Sequence, residues 1–168
     1  MEAHYLKSSF REKLIEHLFI GELLKTSWSH ADYSLEVSKP EVDASGYDII
    51  AESNGFIRHI QLKGSYTGAS TITQKVHSAL CKKPSGCVIW IHFDPSTLKL
   101  GPFYWFGNRP GEPLPNLNPF RVAKHTRADS KGVKKERPLF RVIPKGSFTK
   151  LNSVTELMLA LFGEVKLL

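Results

Sequence analysis

The sequence predicts an α/β fold in which a mixed β-sheet is flanked by helices, and three features carry that prediction. Phe10, Leu14, Ile15, Leu18, Phe19 and Leu23 recur at the three-to-four-residue spacing of an amphipathic helix. Two β-rich runs meet at Asn54-Gly55, the strongest short-range hairpin signal. Cys87 to Phe93 is apolar without interruption, as a strand covered on both faces should be. With 168 residues, 41% of them hydrophobic and 11% aromatic, the chain suits one domain, residues 1–168, with a core of its own. A collagen, a mucin and a disordered tail are excluded.

The first helix is expected from about Ser8 or Ser9 to Lys25. Tyr33 to Ser38 alternates weakly and predicts a strand, broken by Lys39-Pro40. Tyr47 to Glu52 and Phe56 to Lys63 are the hairpin strands. Gly68 to Lys82 carries Ile72, Val76, Ala79 and Leu80 at helical spacing and predicts a second helix, ended by Pro84-Ser85-Gly86. Strands follow at Cys87 to Phe93 and at Gly101 to Phe106; the aromatic run Phe103-Tyr104-Trp105-Phe106 reads as core and not as a base-stacking platform. Four prolines make Asn108 to Pro119 a loop, and Leu139 to Ile143 is a last strand. Ser153-Val154-Thr155-Glu156 is a capping box opening a helix to Phe162, before Gly163. The α/β core thus covers about residues 10–107, with a basic appendix and C-terminal helix over 108–168.

Charge is segregated. The chain carries +7 overall, with −5 over residues 1–55, +5 over 56–120, +8 over 121–150 and −1 over 151–168. An acidic first third beside a strongly basic later stretch suits a polyanion binder that also keeps carboxylates for a divalent cation. Lys124, Arg127, Lys131, Lys134, Lys135 and Arg137 are the expected phosphate contacts, with a solvated loop as the plain alternative. Cys81 and Cys87 are too few for a disulfide framework or a zinc site. No apolar run reaches about 18 residues and no leader precedes the first helix, so the expected location is cytoplasmic, with no membrane partner.

A two-residue hairpin loop at Asn54-Gly55 makes cross-strand partners sum to 109, which sets Asp48 opposite Gln61. Gln61 and Lys63 share a face by alternation, and Asp48 joins them. Their neighbours Ile49, Ile50, Ile60 and Leu62 are apolar, so three polar groups interrupt a buried sheet, where charge needs a partner or a metal. With Leu14 at zero and about 100° per residue, Glu22 falls inside the helix's apolar arc at about 80°, while Glu12 and Glu16 fall at or past its edge and read as surface acids. An Asp–Lys ion pair at a sheet end is the plain alternative. Oxygen ligands for Mg²⁺ with a lysine beside them form a kit for phosphodiester hydrolysis.

These residues resemble the PD-(D/E)xK nuclease superfamily with its restriction-endonuclease-like fold: Asp48-Ile49-Ile50, a short hairpin, then Gln61-Leu62-Lys63, preceded by helix residue Glu22. The order of elements over roughly residues 10–107 is similar as well. The resemblance implies Mg²⁺, with Mn²⁺ as a substitute, on Asp48, Gln61, the Leu62 carbonyl and Glu22. It implies Lys63 as the catalytic lysine, with Asp48, Gln61 and Glu22 completing the catalytic set. Gln61 replaces the usual acid and removes one negative charge, and Gly46-Tyr47 precedes Asp48 where the motif has a proline. Gln74 and Lys75, on the expected second helix, are minor additional candidates. The expected function is a metal-dependent endonuclease acting on DNA, with a homodimer expected because two sites cut two strands. The alternatives are a degenerate nuclease-like module that binds nucleic acid for a partner enzyme and an interaction domain for an acidic protein.

Overall fold

The computed structural model describes residues 7–42, 45–128, 130 and 132–163. Helix α1 (Ser8–Ser29) is followed by strands β1 (Glu36–Ser38), β2 (Ile49–Ser53) and β3 (Phe56–Tyr66). Next come β4 (Thr73–His77), a 3-10 turn (Ser78–Lys82), β5 (Gly86–Phe93) and β6 (Leu100–Gly107). The chain then runs through β7 (Val122–Lys124), β8 (Glu136–Pro144), β9 (Thr149–Leu151) and helix α2 (Val154–Phe162). The architecture is mixed α/β: a six-stranded sheet ordered β1-β2-β3-β5-β6-β9 and a three-stranded sheet ordered β4-β8-β7.

The hairpin has the expected register. Ser53 pairs with Phe56 and Ile49 with Ile60, with Asn54 and Gly55 both at positive φ, as a tight turn of this length requires. β3 runs parallel to β5, and the other neighbours in the large sheet are antiparallel. Every residue of β5 is buried, which matches its unbroken apolar run. One core, built on Phe19, Leu23, Ile60, Ile89, Ile91 and Leu161, lies between the large sheet and the two helices. A second, with Val76, Leu80, Val88, Trp90 and Ile143, fills the opposite face against the small sheet and its connections.

Residues 68–82 form no α-helix. Thr73–His77 is a strand paired antiparallel with Pro144–Phe140 of β8, and only Ser78–Lys82 turns, as a 3-10 segment. β-branched Thr71, Ile72, Thr73 and Val76 fit a pleated strand, and the partner that decides the matter lies more than sixty residues downstream. The first strand is shorter than expected, Glu36–Ser38, and α1 is longer, ending at Ser29. β8 also extends the expected 139–143 strand at both ends. The capping box opens α2 as expected: the Glu156 N–H donates to Ser153 Oγ at 3.1 Å, and Glu156 Oε2 accepts from Asn152 N–H at 2.8 Å.

Arg58, which the sequence pattern does not single out, is wholly buried. Its guanidinium donates to the carbonyls of Ala160, Leu161 and Asn108 and to Ser85 Oγ, at 2.6–3.1 Å, and lies over the Trp105 ring. A cation at the carbonyl end of α2 also meets the negative end of the helix dipole. This residue fastens α2 to the sheet.

Candidate active site

Asp48 stands immediately before β2, where the hairpin brings it against β3. Its backbone N–H donates to the Ile60 carbonyl at 2.8 Å, and its Oδ2 accepts from the Leu62 N–H at 2.6 Å. The carboxylate is thereby pinned beside the Leu62-Lys63 step. Asp48, Leu62 and Lys63 line a cleft of about 470 Å³, walled by the first half of α1 and floored by Ile91 and Phe93 of β5. Gln74 of β4 closes another side of it. Gln74 is therefore at the site, carried there by a strand and not by a helix.

The helix carboxylates are exchanged relative to expectation. Glu22 does not point into the core: its side chain is 40% exposed, it pairs with Lys25 at 3.5 Å, and it is not among the cleft residues. Glu12 and Glu16 line the cleft instead. Both the centre of the apolar arc and the height along the helix decide this. Leu14 is only half-buried, and the true core line runs through Ile15, Phe19 and Leu23. With Phe19 at zero, Glu12 lies at about 20°, Glu16 at about 60° and Glu22 at about −60°, so all three lie towards the sheet side; Glu12 and Glu16 stand one or two turns nearer the N-terminus, where that line passes over the cleft, and Glu22 stands a turn beyond Phe19, away from it. Recentring the arc on the residues spaced by four brings in Glu12 and Glu16 but keeps Glu22, so height along the helix decides which of the three meets the cleft.

Glu16 is buried and ion-paired with Lys39 and, at 3.0 Å, with Lys13. Burial pushes its carboxyl up, but the hydrogen bonds and charges of Lys39 and Lys13 outweigh that and hold it below its ordinary value. Glu12 is exposed on the rim, beside Arg11 and Lys13. The cleft thus presents carboxylates and cations together.

Gln61 is buried, but its Oε1 accepts from the His77 backbone N–H at 3.3 Å, and it does not line the cleft. The expectation of a cleft-facing ligand at this position is replaced by a tie between β3 and β4. Among the described residues no three His, Cys, Asp or Glu side chains form a preformed metal cage. Mg²⁺ needs less: it is commonly held by one or two carboxylates together with substrate phosphates and water. Asp48, Glu12 and the Leu62 carbonyl fit that donor chemistry.

The basic residues stand on the small sheet, whose β4 supplies Gln74 to the cleft. Lys124 ends β7, Arg127, Lys134 and Lys135 occupy the β7–β8 connection, and all four are exposed. Arg137 lies on β8 with its guanidinium 4.0 Å from the Phe140 ring centre. Lys131 lies outside the described residues. Lys75 of β4 donates to the Lys124 carbonyl at 3.5 Å, joining the cleft strand to the basic hairpin. Among the described residues no helix is long and apolar enough to cross a membrane. No family model matches the chain, and no curated protein matches it.

Proposed function

We propose that the chain is a metal-dependent endonuclease of the PD-(D/E)xK type, with a restriction-endonuclease-like core, hydrolysing phosphodiester bonds in DNA. The observation that carries this reading is the Asp48 carboxylate, pinned to the Leu62 N–H at 2.6 Å in the same cleft as Lys63 and Glu12. Asp48, the Leu62 carbonyl and Glu12 would hold Mg²⁺, with Mn²⁺ serving in its place. When bound, the ion polarises a phosphate and lowers the pKa of its water. Lys63 adds a positive charge beside the carboxylate, suited to orienting a water or steadying charge on a phosphate oxygen. Arg11 and Lys13 face the same space from α1 and counter the repulsion between a polyanion and the carboxylates of Glu12 and Glu16. Gln61 positions β4, and with it Gln74, and Glu22 has no part in the reaction. The exposed basic hairpin gives sequence-tolerant phosphate contacts that weaken with salt.

The test is nicking of supercoiled plasmid, and of labelled single-stranded DNA and RNA, with Mg²⁺ or Mn²⁺ and with EDTA as control. Metal-dependent cleavage of DNA, lost in Asp48→Asn and Lys63→Ala and retained in Glu22→Gln, is the expected result. Cleavage that survives both of the first two variants overturns the assignment. One observation favours a second reading: the usual acid at position 61 is an amide already engaged by His77. In that reading the domain binds nucleic acid without cutting it, and salt-sensitive binding would be lost in Lys134→Ala/Lys135→Ala yet unaffected at Asp48.

A further inference from the structure

Helix α1 carries an apolar line on one side and, on the other, a line with large apolar residues at both ends and His17 and Gly21 at its centre. One faces the sheet through Ile15, Phe19 and Leu23. The other, on the opposite side, runs through Phe10, Leu14, His17, Gly21, Leu24 and Trp28, spaced alternately by four and three. Phe10 and Trp28 are each 73% exposed and Leu24 is 47% exposed. Trp28 packs edge-on against Tyr33, itself 69% exposed, over a groove of about 320 Å³ that also takes in Leu24 and Leu35.

The outer line is a palindrome. Phe10 with Trp28, Leu14 with Leu24 and His17 with Gly21 are pairs whose numbers each sum to 38. A two-fold axis at the level of residue 19 would therefore set large apolar residues against large apolar residues at both ends. At the centre it would seat His17 in the notch left by Gly21 of the other copy. A spacing of four and three is also the seam of paired helices. Three exposed aromatics and a leucine offer roughly 400–500 Å² per copy, the apolar centre of an interface that the flanking helix surface would extend towards the ~800 Å² per partner of a standard one.

We propose that the outer face of α1 is a homodimer interface in which two copies pair antiparallel about an axis near residue 19. The geometry makes the contact isologous and closed, so it yields dimers and not fibres. Sedimentation velocity on the full chain, up to about 100 μM and so well above a micromolar Kd, should give twice the 18.9 kDa of one chain. Trp28→Glu should halve that mass. Gly21→Leu should do the same while leaving the thermal midpoint unreduced, because a side chain at Gly21 meets nothing within 4 Å in the single copy. Orientation is read by mixing Leu14→Cys with Leu24→Cys. Antiparallel pairing gives a disulfide only in the mixture, since two copies of either position would sit about 15 Å apart along the axis. A monomer at all concentrations, a dimer indifferent to both Trp28→Glu and Gly21→Leu, or self-linking of Leu14→Cys alone would overturn the proposal.

Discussion

Arg58 and Lys63 are two cations on one strand, and the sheet treats them in opposite ways. Arg58, at the α2 end, is sealed from solvent and spends its donors on three carbonyls and a hydroxyl. Lys63, toward the other end, is half-buried and opens on a cleft that also holds the Asp48 carboxylate. A buried cation surrounded by backbone acceptors is tied into the fold, whereas a cation that lines a cleft together with a carboxylate stands within reach of a ligand. Charge and burial alone would have pointed to Arg58. The nature of its partners points away from it.

The most forceful way to break this contrast is to remove each cation. Arg58→Leu leaves several buried carbonyls without donors and should cost about 3 kcal/mol or more in urea unfolding, with α2 loosened first. Lys63→Leu should change stability by less than about 1 kcal/mol while abolishing cleavage. Equal losses from both would show that Lys63 is as structural as Arg58.

A second experiment probes how dry the strand ends near the cleft are. His92 of β5 pairs with Ser65 of β3, is 7% exposed, and packs against Trp90 and Tyr104. Burial, and then the nearby Lys145 charge, bring its pKa down to about 4, so the folded protein keeps the ring neutral. The unfolded chain takes up a proton near the ordinary histidine value, so stability should fall as pH drops from about 6.5 to about 4, by on the order of 2–3 kcal/mol. His92→Phe should reduce that fall, leaving the share of His59, whose pKa burial and the Lys83 charge also lower. A wild-type profile flat over this window would mean that water reaches the ring and that this end of the sheet is open more widely than the cleft alone.

The smallest effect concerns the wall of the cleft. Glu16 is held ionised by Lys39 and Lys13, and its depressed pKa gives stability that is present above the ordinary carboxylate range and lost as pH falls through its folded value. Glu16→Gln should therefore cost about 1 kcal/mol near neutral pH, discounted because both lysines reach solvent, and the gap from wild type should close in acid. Lys39→Met should lose much the same amount. If Glu16→Gln instead removes cleavage without touching stability, Glu16 acts on the substrate and not on the wall.

Short-range chemistry in the sequence was enough for the hairpin, its register, the buried strand and the capped last helix. Asn54-Gly55 admits one tight turn, alternation then fixes each face, and arithmetic on residue numbers sets Asp48 opposite Gln61, one residue short of the Leu62 N–H that its carboxylate meets. Charge segregation also placed the basic residues together, and Lys124, Arg127, Lys134 and Lys135 are exposed together. Tertiary contacts alone decided the rest. Residues 73–77 became a strand because β8 offered backbone partners from far along the chain. Arg58 became a clamp because the carbonyl end of α2 arrived over it. Glu12 and Glu16 came to the cleft in place of Glu22 because a helix's face is set by what it packs on, and a side chain's height along that helix decides whether it meets the sheet or the space beyond its edge.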